Sequence, residues 1–190
     1  MKKTLFAGAF FCLSLGVTNA AVVFSGIDTT LDFGLPSGSF TLDGITVTLT
    51  ANDGIVNATT TGLGINDSGL GDDTNGLDTV NVDEALTFTF DVDVTLNSIS
   101  YANAGVNDSL ALSFNGIAGP PLLPGTFGEV VYDTVLLAGE ELVITATGPD
   151  NNGVSITQFT VTAIPEPSSV ALIGLAGMVA IFRRRINYQQ

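Results

Sequence analysis

The chain has 190 residues, enough for one domain of ordinary size once terminal signals are set aside. Its formal net charge is -14, from 19 acidic and 5 basic residues, and it contains no histidine. All basic residues lie near the two ends, so residues 21–164 form a purely anionic body. Nothing in that body can neutralise phosphate, which excludes nucleic acid as a partner.

Residues 1–20 have the layout of a secretory signal peptide. A basic start at Lys2 and Lys3 precedes an apolar run from Leu5 to Val17, and small residues then precede a predicted cut after Ala20. The run is too short to be a confident spanning helix. The sequence therefore predicts export through the secretion translocon, with removal of this segment.

Residues 21–164 show apolar and polar side chains that alternate with a period of two, which is typical of half-buried strands. The clearest alternation runs from Leu86 to Val92. Similar runs cover Ile45 to Leu49, Leu110 to Phe114, Leu142 to Ala146 and Val154 to Ala163. This pattern predicts about eight or nine short strands and no helix within the body.

Two local signals sharpen the strand prediction. Asp43-Gly44 separates two apolar runs and is a strong cue for a β-hairpin. The apolar parity changes around Thr157-Gln158, which predicts a β-bulge there. Each strand has one apolar face that a second sheet must cover. The sequence thus predicts an all-β domain, an antiparallel β-sandwich of jelly-roll type, over residues 21–164.

An acidic, glycine-rich loop is predicted from Gly62 to Glu84, just before the clearest strand. Calcium takes roughly six to eight oxygen ligands, which such loops supply from carboxylates, amides and carbonyls. The candidate ligands are Asp72, Asp73, Asp78 and Glu84. The spacing does not fit an EF-hand. A Ca²⁺ site and a solvated loop without metal are both consistent with this composition.

Catalytic chemistry is constrained by composition. The body lacks His, Lys, Arg and Cys, since the single cysteine is Cys12 in the signal peptide, so most nucleophile–base pairs cannot be built. Paired carboxylates leave a glycoside hydrolase open. The chain has no tryptophan to stack on sugars. We therefore expect a non-enzymatic structural or matrix-associated protein. The alternative is a carbohydrate-binding module or carboxylate-pair glycoside hydrolase that acts on exopolysaccharide.

The last segment, residues 165–190, differs from the body. It begins with Pro165, Glu166 and Pro167, which end the final strand, and continues with an apolar stretch from Val170 to Phe182. The basic cluster Arg183, Arg184 and Arg185 follows. As a helix, the stretch from Ser168 to Phe182 is only about 22 Å long, shorter than the ~30 Å hydrocarbon core. It predicts a single, marginal transmembrane helix with cytoplasmic arginines, suited to transient anchoring in the inner membrane.

The order of these features resembles the PEP-CTERM sorting signal. The matching residues are Pro165 to Pro167, the apolar stretch and Arg183 to Arg185. The resemblance implies recognition by an exosortase, a membrane-bound transpeptidase-like protease, and cleavage near the Pro-Glu-Pro motif. It also implies release or transfer to the cell surface in bacteria that make exopolysaccharide. It implies nothing about the fold or activity of the body.

Overall fold

The computed structural model describes residues 20–66, 76–80, 82–102, 105–122, 128–148 and 153–165. This part of the chain is nearly all β-structure, with twelve strands and one short 3-10 turn at Thr29–Leu31. The strands form two antiparallel sheets. Residues 1–19 of the predicted signal peptide and the apolar C-terminal stretch fall outside the described residues, and so do Asp72 and Asp73.

The first sheet is built around a long strand near the end of the described chain. Its strands are β1 (Val22–Ser25), β4 (Ile55–Thr59), β5 (Gly62–Asn66), β7 (Val94–Ala102), β10 (Gly128–Leu136) and β12 (Ser155–Ala163). They are ordered β10-β7-β12-β5-β4, and β1 also pairs with β12. Strand β10 therefore forms one edge of this sheet.

The second sheet contains the strands with the clearest alternation. Its strands are β2 (Ser37–Leu42), β3 (Ile45–Ala51), β6 (Ala85–Phe90), β8 (Ser109–Phe114), β9 (Ile117–Ala118) and β11 (Glu141–Thr147). They are ordered β2-β3-β6-β11-β8-β9. From β5 onward the chain passes repeatedly between the two sheets, and this connectivity fits the predicted jelly-roll type.

The two sheets share one apolar core. Buried side chains from both sheets form a single cluster, as the alternation predicts. At its centre, Phe159 of β12 stacks on Phe24 of β1, with ring centroids 4.7 Å apart. Phe88 of β6 in the second sheet meets Phe159 edge to face at 5.2 Å. Face-to-face packing of two antiparallel sheets fits a β-sandwich.

Both local signals in the sequence are confirmed. Leu42 pairs with Ile45 across a two-residue turn, in which Asp43 and Gly44 have φ values of 50° and 81°. Positive φ at both positions is the requirement of the type I′ hairpin turn. The pairing of β12 with β7 shifts register between Ile156 and Gln158, which places the bulge where the parity changes.

The predicted loop from Gly62 to Glu84 is wrong at its start, because Gly62–Asn66 is strand β5. Four consecutive residues of β5 are buried, so the strand shows no alternation, and its sequence does not differ in pattern from the glycine-rich loop. The strand lies close to neighbouring backbone. At Gly62, which has a φ of 138°, an added Cβ would stand 2.8 Å from the Cβ of Ser155 and 3.0 Å from the carbonyl oxygen of Ile156, so this approach requires glycine.

The strands give the body two distinct ends. At the end that we call the exit end, β1 begins at Val22, β10 finishes at Leu136 and β12 finishes at Ala163. Both described termini of the chain therefore leave the body here. The opposite end, which we call the far end, carries the connections that follow Asn66 and Ala102.

Candidate functional site

Two of the four predicted metal ligands lie in the described chain, and both are at the far end. Asp78 and Glu84 are almost completely buried, each with only 1% of its surface exposed. Leu77, the residue before Asp78, forms a β-bridge with Val154. Ala146 of β11 donates its N–H to the carbonyl of Glu84. The segment is thus held against both sheets.

The two carboxylates organise the backbone around them. Oε2 of Glu84 accepts a hydrogen bond from the N–H of Asp78 at 3.0 Å, and the N–H of Glu84 donates to the carbonyl of Asp78 at 3.0 Å. Oδ1 of Asp78 accepts from the N–H of Val80 at 2.8 Å, which closes a tight turn. Their observed role is therefore to cap a loop that would otherwise bury unsatisfied N–H groups.

The electrostatics of this pair are unusual. An ionised carboxylate in an apolar interior is costly unless it is paired with a cation or well hydrogen-bonded. Residues 21–164 contain no Lys, Arg or His that could supply a positive charge. Within the described ranges, no three acidic, His or Cys residues are arranged to hold a metal. A complete cation site would therefore need donors beyond Asp78 and Glu84.

A third buried carboxylate, Asp108, also lies at the far end and was missed by sequence reasoning. Its side chain is 2% exposed, and its Oδ2 accepts a hydrogen bond from the N–H of Gly105 at 2.5 Å. It closes the turn that leads into β8. The one sequence signal for this residue is its place just before an alternating run. That signal is weak, because Asp before a strand is also common at exposed turns.

A pair of tyrosines links β7 to the edge strand β10. The hydroxyls of Tyr101 and Tyr132 lie 2.9 Å apart. Burial raises the pKa of Tyr101 above its ordinary value, and the neighbouring Tyr132 adds to this rise. Burial also raises the pKa of Tyr132, although its hydrogen bond with Tyr101 opposes the rise. Both phenols are neutral at neutral pH, so they serve as a polar link and not as nucleophiles.

Turns at the exit end are capped by more accessible carboxylates. Oδ1 of Asp93 accepts from the N–H of Ala138, and the carbonyl of Asp93 accepts from the N–H of Ile164, both at 2.8 Å. Glu140 accepts from the N–H of Leu137 at 2.8 Å and from the side-chain amide of Asn115 at 2.9 Å. These bonds tie the β10–β11 turn to the β8–β9 turn and to the last residues of the body.

An open cleft of about 350 Å³ lies beside these turns. Phe114, Ile117 and Ala118 line one side, and Val135 and Leu136 of β10 line the other. Its lining is mainly apolar, and its polar members are Asn115, Thr134 and Glu140. The carboxylate of Glu140 already accepts from Leu137 and Asn115. Among the aromatic side chains that the structure describes, none is fully exposed, and the ring of Phe114 in the cleft is half-buried.

The comparisons with known proteins bear on the C-terminal segment. Residues 163–185 match the model of the PEP-CTERM protein-sorting motif. The match spans Pro165 to Pro167 and Arg183 to Arg185, and it begins at the last residue of β12. The chain is therefore an antiparallel β protein with a C-terminal sorting signal. It carries a PEP-CTERM protein-sorting motif, which indicates export and sorting to the cell surface and is consistent with a substrate of an exosortase.

Comparisons of the body with known proteins are less informative. No curated protein matches the chain. Among solved structures, it is similar to a family two carbohydrate esterase from Cellvibrio japonicus, with 12% identity and a TM-score of 0.36. That match covers 79% of this chain and 36% of the esterase chain. At this level, the similarity carries no argument about activity.

The predicted transmembrane helix stays a prediction. Its residues lie outside the described ranges, and within those ranges no helix is long and apolar enough to cross a membrane.

Proposed function

We propose that this protein is a non-enzymatic β-sandwich of jelly-roll type that an exosortase sorts to the cell surface, where it serves as a structural or matrix-associated component. The sorting match that starts at the last residue of β12 carries this proposal. The body thus passes directly into the signal, and cleavage near Pro165 to Pro167 frees an intact domain. The apolar stretch Val170 to Phe182 acts as the transient inner-membrane anchor.

The absence of His, Lys, Arg and Cys from the body supports a non-enzymatic role. Acyl and phosphoryl transfer commonly use a histidine or lysine base and a cationic group for the developing negative charge, and residues 21–164 contain neither type of residue. Several of the described carboxylates accept backbone N–H groups, as Glu84, Asp93 and Glu140 do. A uniformly acidic surface also keeps a released domain soluble. Contact with exopolysaccharide at the surface is part of the proposal.

The sorting step is tested by replacing Glu166 with Gln and, separately, Arg183 to Arg185 with Gln. We expect both variants to remain uncut in the inner membrane, whereas the unaltered protein is released. Mass spectrometry of the extracellular protein reports both mature ends. Replacement of Gln189 by Asn is the matched control in the same tail. Normal release of the Glu166→Gln and arginine variants would overturn the proposal that this segment is the sorting signal.

We also propose that the far end binds Ca²⁺ through Asp78 and Glu84 together with Asp72 and Asp73. The burial of Asp78 and Glu84 without a positive charge in the body supports it, since a cation would offset the cost of two buried charges. We expect millimolar Ca²⁺ to raise the melting temperature, and Asp72→Asn with Asp73→Asn to abolish the rise. The matched control is Glu140→Gln at the exit end. An unchanged melting temperature in Ca²⁺ would exclude the site.

A further inference from the structure

The exit end exposes apolar side chains that the sorting signal alone does not explain. Ile117 is 74% exposed, Val135 53% and Leu137 51%. Ile117 and Val135 line the cleft described above, and Leu137 follows Leu136 of that cleft along the chain. We call these three side chains the exit-end patch. Exposed large apolar side chains that converge on one open cleft are typical of an interaction surface.

The exit-end patch lies next to the point where the chain leaves the body. Asp93 bonds both to Ala138, beside Leu137, and to Ile164, the residue that follows β12. In the first sheet, Ala163 pairs with Val94, and Val94 pairs with Leu136. Neighbouring strands lie about 4.8 Å apart, so the end of β12 is only about 10 Å from Leu136.

The short segment between the body and the apolar stretch limits the distance between the exit end and the membrane. The apolar stretch of the tail begins at Val170, and the chain from Pro165 to Val170 spans at most about 17 Å when extended. While the tail crosses the inner membrane, the exit end therefore cannot move far from the bilayer surface. The far end lies at the other end of strands such as β7, so it can stand away from the bilayer by up to their length.

We propose that the exit-end patch rests on the extracytoplasmic surface of the lipid bilayer as long as the tail is anchored, which holds the Pro-Glu-Pro motif at a fixed height above the membrane. This inference rests on the proposed transmembrane tail. Three apolar side chains are a small contact by themselves. The tether keeps them at a high effective concentration near the lipid, so a weak contact is enough.

The charges around the exit-end patch limit the contact to the anchored state. Asp93, Glu140 and Glu141 lie on the adjoining turns and strand, and the body has no basic residue that could attract anionic lipid. Polybasic segments are what normally hold proteins at such surfaces. Once the tail is cut, the patch alone does not hold the body on the membrane, so the contact ends with cleavage.

The test uses the absence of tryptophan from the chain, which allows one reporter to be placed at a time. The reporters are Leu137→Trp and Ile117→Trp in the patch. The matched control is Val106→Trp, which replaces a side chain that is 83% exposed at the far end. Each variant is prepared as the exported chain, residues 21–190 with the tail uncut, so that the tail is the only long apolar stretch. It is reconstituted into phosphatidylcholine vesicles whose acyl chains carry bromine, a contact quencher of tryptophan. The melting temperature of each variant establishes that the body is folded.

Flotation of the vesicles and quenching of the tryptophan report on different claims. If the protein does not float with the vesicles, the proposed anchor is wrong, and the inference is overturned with it. If the protein floats, we expect at least a twofold greater loss of fluorescence at Leu137→Trp and Ile117→Trp than at Val106→Trp.

Two results would overturn the inference while leaving the anchor intact. One is equal quenching at all three positions in protein that floats. The other is a loss of fluorescence at Leu137→Trp and Ile117→Trp that depends on the protein-to-lipid ratio and not on bromine. That result would mean that a second copy of the chain covers the patch. Release of the body from vesicles after proteolysis of the tail is the expected companion result, and continued binding would contradict the claim that the contact ends with cleavage.

Discussion

Carboxylates cap backbone turns at both ends of the body, but in opposite environments. At the exit end, the exposed Asp91 accepts the N–H of Thr46, and the half-buried Asp93 and Glu140 accept those of Ala138 and Leu137, so water solvates these charges. At the far end, Asp78 and Glu84 are each 1% exposed. The same hydrogen bond is therefore inexpensive at one end and costly at the other, because an ionised carboxylate loses its hydration on burial. A bound cation would change stability mainly at the far end.

The largest expected difference is between Glu84 and Glu140. Glu84→Ala leaves the buried N–H of Asp78 without its acceptor, and we expect a loss of roughly 2–3 kcal/mol of unfolding free energy. Glu140→Ala exposes the N–H of Leu137 to water, and we expect a loss of only about 1 kcal/mol. Urea denaturation monitored by circular dichroism measures both, with an unchanged slope as the sign of an intact fold.

A matched substitution sharpens this first comparison. Glu84→Gln keeps an oxygen acceptor for Asp78 and removes the charge, so without Ca²⁺ we expect it to be far less damaging than Glu84→Ala. Equal losses for Glu84→Ala and Glu84→Gln would show that the charge itself stabilises the far end. Equal losses for Glu84→Ala and Glu140→Ala would refute the contrast between the two ends.

The second prediction concerns the connection between the body and its tail. Asp93→Ala removes the acceptor for the N–H of Ala138, and Asp93→Asn keeps an acceptor oxygen. We expect about 1 kcal/mol of destabilisation for the alanine variant and less for the asparagine variant. We also expect faster amide exchange at Leu137 and Ala138, because the β10–β11 turn loses its anchor. Unchanged exchange at these two amides would show that Asp93 does not hold the exit end together.

The strands at the centre of the sandwich could be predicted from the sequence because each has one buried face. In β6, Leu86 and Phe88 are buried while Thr87 is half-exposed, and this alternation is visible in the residues themselves. The type I′ turn at Asp43-Gly44 could be predicted for a similar reason, since few residue pairs tolerate positive φ twice.

The remaining strands and caps could not be predicted because their determinants are not local. Strand β5 is buried on both faces, and β9 has only two residues, so neither shows a periodic pattern in the sequence. For this reason the described part of the structure has twelve strands, more than the eight or nine that the sequence predicts. The acid pattern also did not distinguish a buried cap such as Glu84 from an exposed one such as Glu140. That difference depends on which strands pack above each loop.

The smallest expected effect concerns Asp28, an exposed carboxylate that follows β1 near the far end. The N–H of Thr30 donates to its Oδ1 at 2.9 Å, and the hydrogen bonds from Thr30 lower the pKa of Asp28 below its ordinary value of 3.8. A lowered folded-state pKa contributes stability above the unfolded value, and that contribution is lost as the pH falls through the lowered pKa. In Asp28→Asn the contribution is absent at every pH. Melting temperatures of the two proteins should therefore differ slightly at pH 6 and converge once the pH lies below the lowered pKa of Asp28. A constant difference across this range would mean that the carboxylate of Asp28 has the same pKa in the folded and unfolded chains.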